Sequence, residues 1–158
     1  GCISKGTITN NAYYTGGIVG NSYSIVDDCT FTGSVTGSRY TAGICGYAYK
    51  PISGCESSGT ISGEKYVSGI AGGCKASITD CDVTGGSITG SMYVGGIVGY
   101  FLSPEDGQPI TVSDCTVKKA TVNGATADYG GSSAYKGYIY GARQSSALNL
   151  FSNNTSLN

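Results

Sequence analysis

Apolar residues recur along this chain in short bursts, separated by Gly, Ser and Thr, and the bursts return at a fixed interval. Isoleucine stands at positions 18, 44, 70, 97 and 139, in steps of 26, 26, 27 and 42. The first four lie inside Gly-Ile-X-Gly tetrads at residues 17–20, 43–46, 69–72 and 96–99, and the last inside the degenerate Tyr138-Ile139-Tyr140-Gly141. Four residues before each isoleucine comes a tyrosine: Tyr14, Tyr40, Tyr66, Tyr93 and Tyr135. A second apolar column, Val26, Ile52, Ile78 and Val112, precedes Cys29, Cys55, Cys81 and Cys115 by three residues, with Cys2 opening the cysteine series. A third column, Ile8, Val35, Ile61, Ile88 and Val122, is flanked on both sides by Thr, Ser or Asn.

Polar and apolar residues alternate through these segments, which is the period of a β-strand, and Gly punctuates every unit before a helical stripe can develop. Units of about 26 residues holding several short strands predict one coil of a parallel β-solenoid, with coils stacked roughly 4.8 Å apart. The expected fold is therefore all-β, a parallel β-solenoid (β-helix) of about five coils over residues 1–141. Residues 142–158 form a non-repeat tail that caps the last coil through Leu148, Leu150 and Phe151. Columns of the repeat become ladders along the axis, since no coil can bury its apolar side alone. Two insertions leave the period, one through residues 100–111 and one through residues 124–134, and insertions in solenoids emerge as corner loops. Cys2 enters in mid-coil, so the chain is expected to be part of a longer protein.

Composition narrows the chemistry. The 158 residues include 27 Gly but no His, which removes Ser-His-Asp, Cys-His and His-ligated metal chemistry. A net charge of −1 without a basic cluster leaves no footprint for nucleic acid. No apolar run approaches the roughly 20 residues that span a bilayer.

The Gly-Ile-X-Gly tetrads, with the segments at residues 33–37, 59–63 and 86–90, resemble the GLUG motif. GLUG repeats occur in large bacterial surface and secreted proteins, including adhesins and the N-terminal regions of immunoglobulin A peptidases. This sequence departs in placing Ile where Leu is frequent, in its cysteine column, and in a degraded last unit. The resemblance implies an extracellular or bacterial cell-surface β-solenoid module that is not an enzyme. Any peptidase site would lie elsewhere, since no H-E-x-x-H occurs here.

Candidate sites follow from the columns. In-register cysteines stacked in parallel stand farther apart than a disulfide wants, which favours a buried thiol ladder. Asp80, Asp82 and Asp114 flank the cysteines and are expected on an outer face, with Asp28 and Glu56. That row reads as a solvated acidic face, as a calcium site, or, in the enzyme alternative, as the acids of a carbohydrate-active β-helix. The column tyrosines are expected to stack on one another. Tyr23, Tyr47, Tyr49, Tyr100 and Phe101 follow the Gly-Ile-X-Gly turns and form an edge for contact with a glycan or a host or surface protein, or else pack on neighbouring corners. No cofactor is expected beyond calcium. The functional expectation is an adhesion module or rigid spacer; an accessory domain of a secreted peptidase is a further alternative.

Overall fold

The computed structural model describes residues 1–104, 106–123, 135–144 and 149–157. The chain winds as a parallel β-solenoid of about five coils, each passing through five faces whose strands stack in register. Face 1 is a six-stranded sheet of Ile3–Ser4, Thr30–Phe31, Glu56–Ser57, Asp82–Val83, Thr116–Lys118 and Thr155–Leu157. Face 2 carries Thr7–Thr9, Ser34–Thr36, Thr60–Ser62, Ser87–Thr89 and Thr121–Val122. Face 3 runs through Thr15–Gly16, Arg39–Ala42, Lys65–Ser68, Met92–Gly95 and Lys136–Gly137. Face 4 follows with Val19–Ser22, Cys45–Ala48, Ala71–Cys74, Val98–Phe101 and Tyr140–Arg143. Face 5 closes the turn with Val26–Asp27, Ile52–Ser53, Ile78–Thr79, Ile110–Ser113 and Asn149–Ser152. No described residue is helical, and no helix is long and apolar enough to cross a membrane.

The columns of the sequence are the ladders of the core. Ile8, Val35, Ile61, Ile88 and Val122 pair in register along face 2. Ile44, Ile70, Ile97 and Ile139 are fully buried between faces 3 and 4, while Ile18 is only partly covered. Each fully buried aliphatic side chain contributes roughly 1.5–3 kcal/mol. Stacking therefore stabilises coils that could not stand singly.

The turn between faces 3 and 4 explains the second glycine of each tetrad. A Cβ on Gly72 would lie 2.6 Å from the Tyr40 carbonyl carbon and 2.7 Å from the carbonyl oxygens of Gly46 and Tyr66. All three are backbone atoms, so faces 3 and 4 approach so closely there that only glycine fits. Gly99 and Gly141 likewise meet the preceding coil's tyrosine carbonyl carbon and glycine carbonyl oxygen, with the amide nitrogen of Val67 or Val94 as the third neighbour.

The corner between faces 5 and 1 is set by a left-handed residue just before each cysteine. Asp28, Gly54, Asp80, Asp114 and Asn153 all have φ between 51° and 58°. Asp, Asn and Gly tolerate that conformation best, so backbone geometry accounts for the residue types of this column. Across the corner the thiols of Cys29, Cys55, Cys81 and Cys115 each donate to the carbonyl two residues earlier, at 3.2 Å. All seven cysteines are free, and only Cys2 is exposed. Burial pushes the thiols of Cys45 and Cys74 up to about 12. Hydrogen bonds to Cys115 and Cys55, together with burial, push Cys81 up.

Residues 149–157 add the fifth strand of face 5 and the sixth of face 1. Phe151 pairs with Val112, its ring 5.0 Å from Tyr140 and 6.0 Å from Phe101. Asn154 takes the place of the cysteine: the Cys115 N–H donates to its Oδ1 at 3.0 Å, and its Nδ2–H donates to the Val112 carbonyl at 2.8 Å. Leu148, the side chain of Leu150 and the insertion at residues 124–134 lie outside the described residues.

Candidate functional site

Aromatic rings dominate the outside of faces 3 and 4. Tyr40, Tyr66, Tyr93 and Tyr135 stack along the axis with ring centroids 4.4, 4.9 and 5.1 Å apart and planes within 19° of parallel. Tyr14 joins the lower end at a tilt, 5.5 Å from Tyr40. The four stacked tyrosines all have positive φ, between 41° and 58°. An aromatic residue pays roughly 1–2 kcal/mol there, so tertiary packing imposes the conformation. It forms a bulge in the strand: Arg39 pairs with Lys65 and Thr41 with Val67, and the tyrosines between them are left out of the ladder.

The stacking has a chemical consequence. A ring sandwiched between two others offers a ligand its edge and phenol, and not its face. Tyr47 and Tyr100 pack against this stack from face 4, Tyr47 at 5.1 Å from Tyr40 and Tyr100 at 5.3 Å from Tyr66 and Tyr93. Tyr47 is only 4% exposed. Burial pushes the phenols of Tyr40, Tyr47 and Tyr100 above their ordinary range, so they remain protonated donors. Arg39 lies over the Tyr13 ring at 4.8 Å and over Tyr66 at 5.7 Å.

The five residues of the expected contact edge therefore separate. Phe101 is fully buried, because strand Val98–Phe101 alternates and turns it into the core one residue after Tyr100 faces out. It cannot contact a ligand. Tyr47 is covered by other tyrosines, and Tyr100 is half-buried. Tyr23 and Tyr49 form a stacked pair at the far end of face 4, with rings 4.3 Å apart and 12° from parallel, and Tyr49 joins it to the other tyrosines through Tyr47, 4.8 Å away. Tyr23 is 66% exposed, the largest open aromatic surface among the described residues. On the next coil, the Lys75 ammonium lies 5.3 Å from the Tyr49 centroid.

Beside this pair the insertion at residues 102–109 folds over the corner between faces 4 and 5. It encloses a groove of about 520 Å³ lined by Tyr49, Lys50, Pro51, Lys75, Ala76 and Ser77 on one side, and by Pro104, Asp106, Gln108, Pro109 and Ile110 on the other. The chain has three prolines, and all three line this groove. Hydrogen bonds from Leu102 N–H to the Cys74 carbonyl at 2.9 Å, and from Thr111 N–H to Ser77 Oγ at 3.1 Å, fix both ends of the insertion. Sequence reasoning identified the insertion and Tyr49 but missed Lys50, Lys75 and the prolines. The signal it had was that the scarce prolines fall only at positions 51, 104 and 109.

The acidic residues divide between two positions of the coil. Asp80 and Asp114 occupy the left-handed corner, whereas Asp82 begins the strand on face 1, between Glu56 and Thr116. Asp114 Oδ1 accepts from Asn153 Nδ2–H at 2.9 Å, and Glu56 Oε1 from the Thr84 hydroxyl at 2.6 Å. Among the described residues no group of three His, Cys, Asp or Glu side chains is placed to hold a metal ion.

Comparison with known families agrees with the repeat. The model of the GLUG motif matches residues 11–36, the stretch that carries the first Gly-Ile-X-Gly tetrad and the strand on face 2 that follows. The chain thus carries a GLUG motif, and the same pattern of residues returns in register in later coils. No curated protein and no solved structure matches the chain.

Proposed function

We propose that this chain is a non-catalytic recognition module of a bacterial cell-surface or secreted protein. Its coils act as a rigid rod, and a glycan binds at the corner formed by Tyr23, Tyr49 and the 102–109 loop, in the service of adhesion. One observation carries the reading: the most exposed stacked tyrosine pair stands beside a groove whose walls contain every proline of the chain. Aromatic faces suit the C–H face of a sugar ring, and a groove of this volume falls in the range of small-ligand sites. The resemblance to GLUG-repeat proteins supports the extracellular setting, and the absence of His favours binding over turnover.

A glycan and extracellular-matrix array, probed with and without millimolar calcium, tests it. The expected result is a glycan hit that needs no calcium and is lost in Tyr23→Ala. A blank array from protein shown to be folded would overturn recognition and leave a structural spacer. A hit that survives Tyr23→Ala would move the site elsewhere.

A further inference from the structure

We propose that the groove beside Tyr49 selects a carboxylated glycan, a chain bearing uronic or sialic acid. This deepens the recognition reading above and rests on it. The charge pattern points this way. Lys50 and Lys75 reach the same rim from successive coils, in a chain that is otherwise close to neutral with a net charge of −1. Asp106 is the one carboxylate among the described lining residues, and its Oδ1 already accepts the Gln108 N–H at 3.0 Å. The adjoining Glu105 lies outside the described residues.

Lys75 lies over the Tyr49 ring and Tyr23 stacks on it, so the open aromatic face is that of Tyr23 and the charge stands beyond Tyr49 on the same edge. A ligand that fits must present a carboxylate on one ring and a flat C–H patch on a neighbouring ring, which is what an acidic oligosaccharide offers. The Ser77 hydroxyl and the Gln108 amide sit in the same lining and suit the ligand's hydroxyl groups. Rigid walls matter as well: proline fixes φ at positions 51, 104 and 109, so the groove loses little conformational entropy when a ligand settles. An acidic peptide would meet the same charge, but it has no rigid ring face to lay beside Tyr23 and Tyr49.

The test is a titration of the folded chain with oligogalacturonate and with sialyllactose. A neutral galacto-oligosaccharide of matched length and poly-glutamate serve as controls. At least one carboxylated glycan is expected to bind, about tenfold more weakly at 0.5 M than at 0.05 M salt, as screening of an exposed charge pair requires. Lys50→Glu is expected to cost about tenfold or more. Lys50 is exposed, so thermal melting of Lys50→Glu should match the parent, which separates lost binding from lost fold. Equal binding of the neutral glycan, or indifference to Lys50→Glu, overturns the acid selectivity while a Tyr23-dependent glycan site stands. Tighter binding of poly-glutamate overturns the sugar assignment. No binding of any glycan, here or on the array, overturns both readings.

Discussion

Replacing Gly72 by Ala is the sharpest perturbation of this fold, because one methyl group would meet three backbone atoms drawn from two adjacent coils. The added Cβ would stand 2.6 Å from the Tyr40 carbonyl carbon and 2.7 Å from the Gly46 and Tyr66 oxygens, against an ordinary approach of 3.4 Å or more. Backbone cannot rotate away as a flexible side chain can. Faces 3 and 4 must therefore part by most of an ångström, which loosens Ile44 and Ile70 and the stacked rings of Tyr40 and Tyr66. Overpacking of a close-packed core costs typically 1–3 kcal/mol, occasionally more, and the immobile neighbours place Gly72→Ala at the upper end, about 3 kcal/mol. Gly6 is the control: a Cβ there meets nothing within 4 Å, so Gly6→Ala is expected to be neutral or slightly stabilising. Urea unfolding followed by circular dichroism gives both values. A Gly72→Ala midpoint within error of the parent would show that faces 3 and 4 do not approach as described, and would refute the account of the Gly-Ile-X-Gly repeat.

Other consequences are open to measurement. At the corner before the cysteines, Asp80→Gly should leave thermal stability unchanged or improved, because φ is 51° there, while Asp80→Val should cost about 1–2 kcal/mol. The opposite order, or a calcium-dependent melting temperature in the parent, would restore a site to the acidic column. Thiol labelling of native protein at neutral pH, read by mass spectrometry, should modify Cys2 alone, with the other six reacting only after unfolding; prompt labelling of Cys55 or Cys81 would contradict their burial. Stability should also fall in alkali. Cys45 and Cys74 ionise near 9 when unfolded and near 12 when folded, so their contribution is fully present below pH 9 and is lost as pH rises through 12. At pH 10 the loss is on the order of 1 kcal/mol for each thiol, and a flat urea midpoint between pH 8 and pH 11 would be inconsistent with it.

Much of this architecture was legible because a solenoid writes its contacts as columns. Ile44, Ile70 and Ile97 stack because they recur at the coil length, and the thiol ladder follows from the same arithmetic. What escaped was whatever backbone geometry decides. The spacing put the Asp column on the outside, where Asp28, Asp80 and Asp114 are exposed, but it did not show the left-handed conformation shared by Asp28, Gly54, Asp80, Asp114 and Asn153. Tyrosine has no preference for positive φ, so nothing in Tyr66 or Tyr93 announced a bulge. Phe101 was placed on the surface by grouping residues after each turn, when strand alternation separates it from Tyr100. The last strands of faces 5 and 1 were hidden by one substitution. Phe151-Ser152-Asn153-Asn154-Thr155 repeats Val112-Ser113-Asp114-Cys115-Thr116 position for position, but Asn stands where the cysteine marker should be. The groove was half visible, since the insertion was plain while the lysines that face it come from regular coils.

The most direct test of the recognition site is an amide-resolved NMR titration with the tightest-binding glycan. Shift changes are predicted to cluster at Tyr23, Tyr49, Lys50, Lys75 and Gln108, with faces 2 and 3 silent. Changes spread along the stacked tyrosines of face 3, or none at saturating ligand, would contradict a site at this corner.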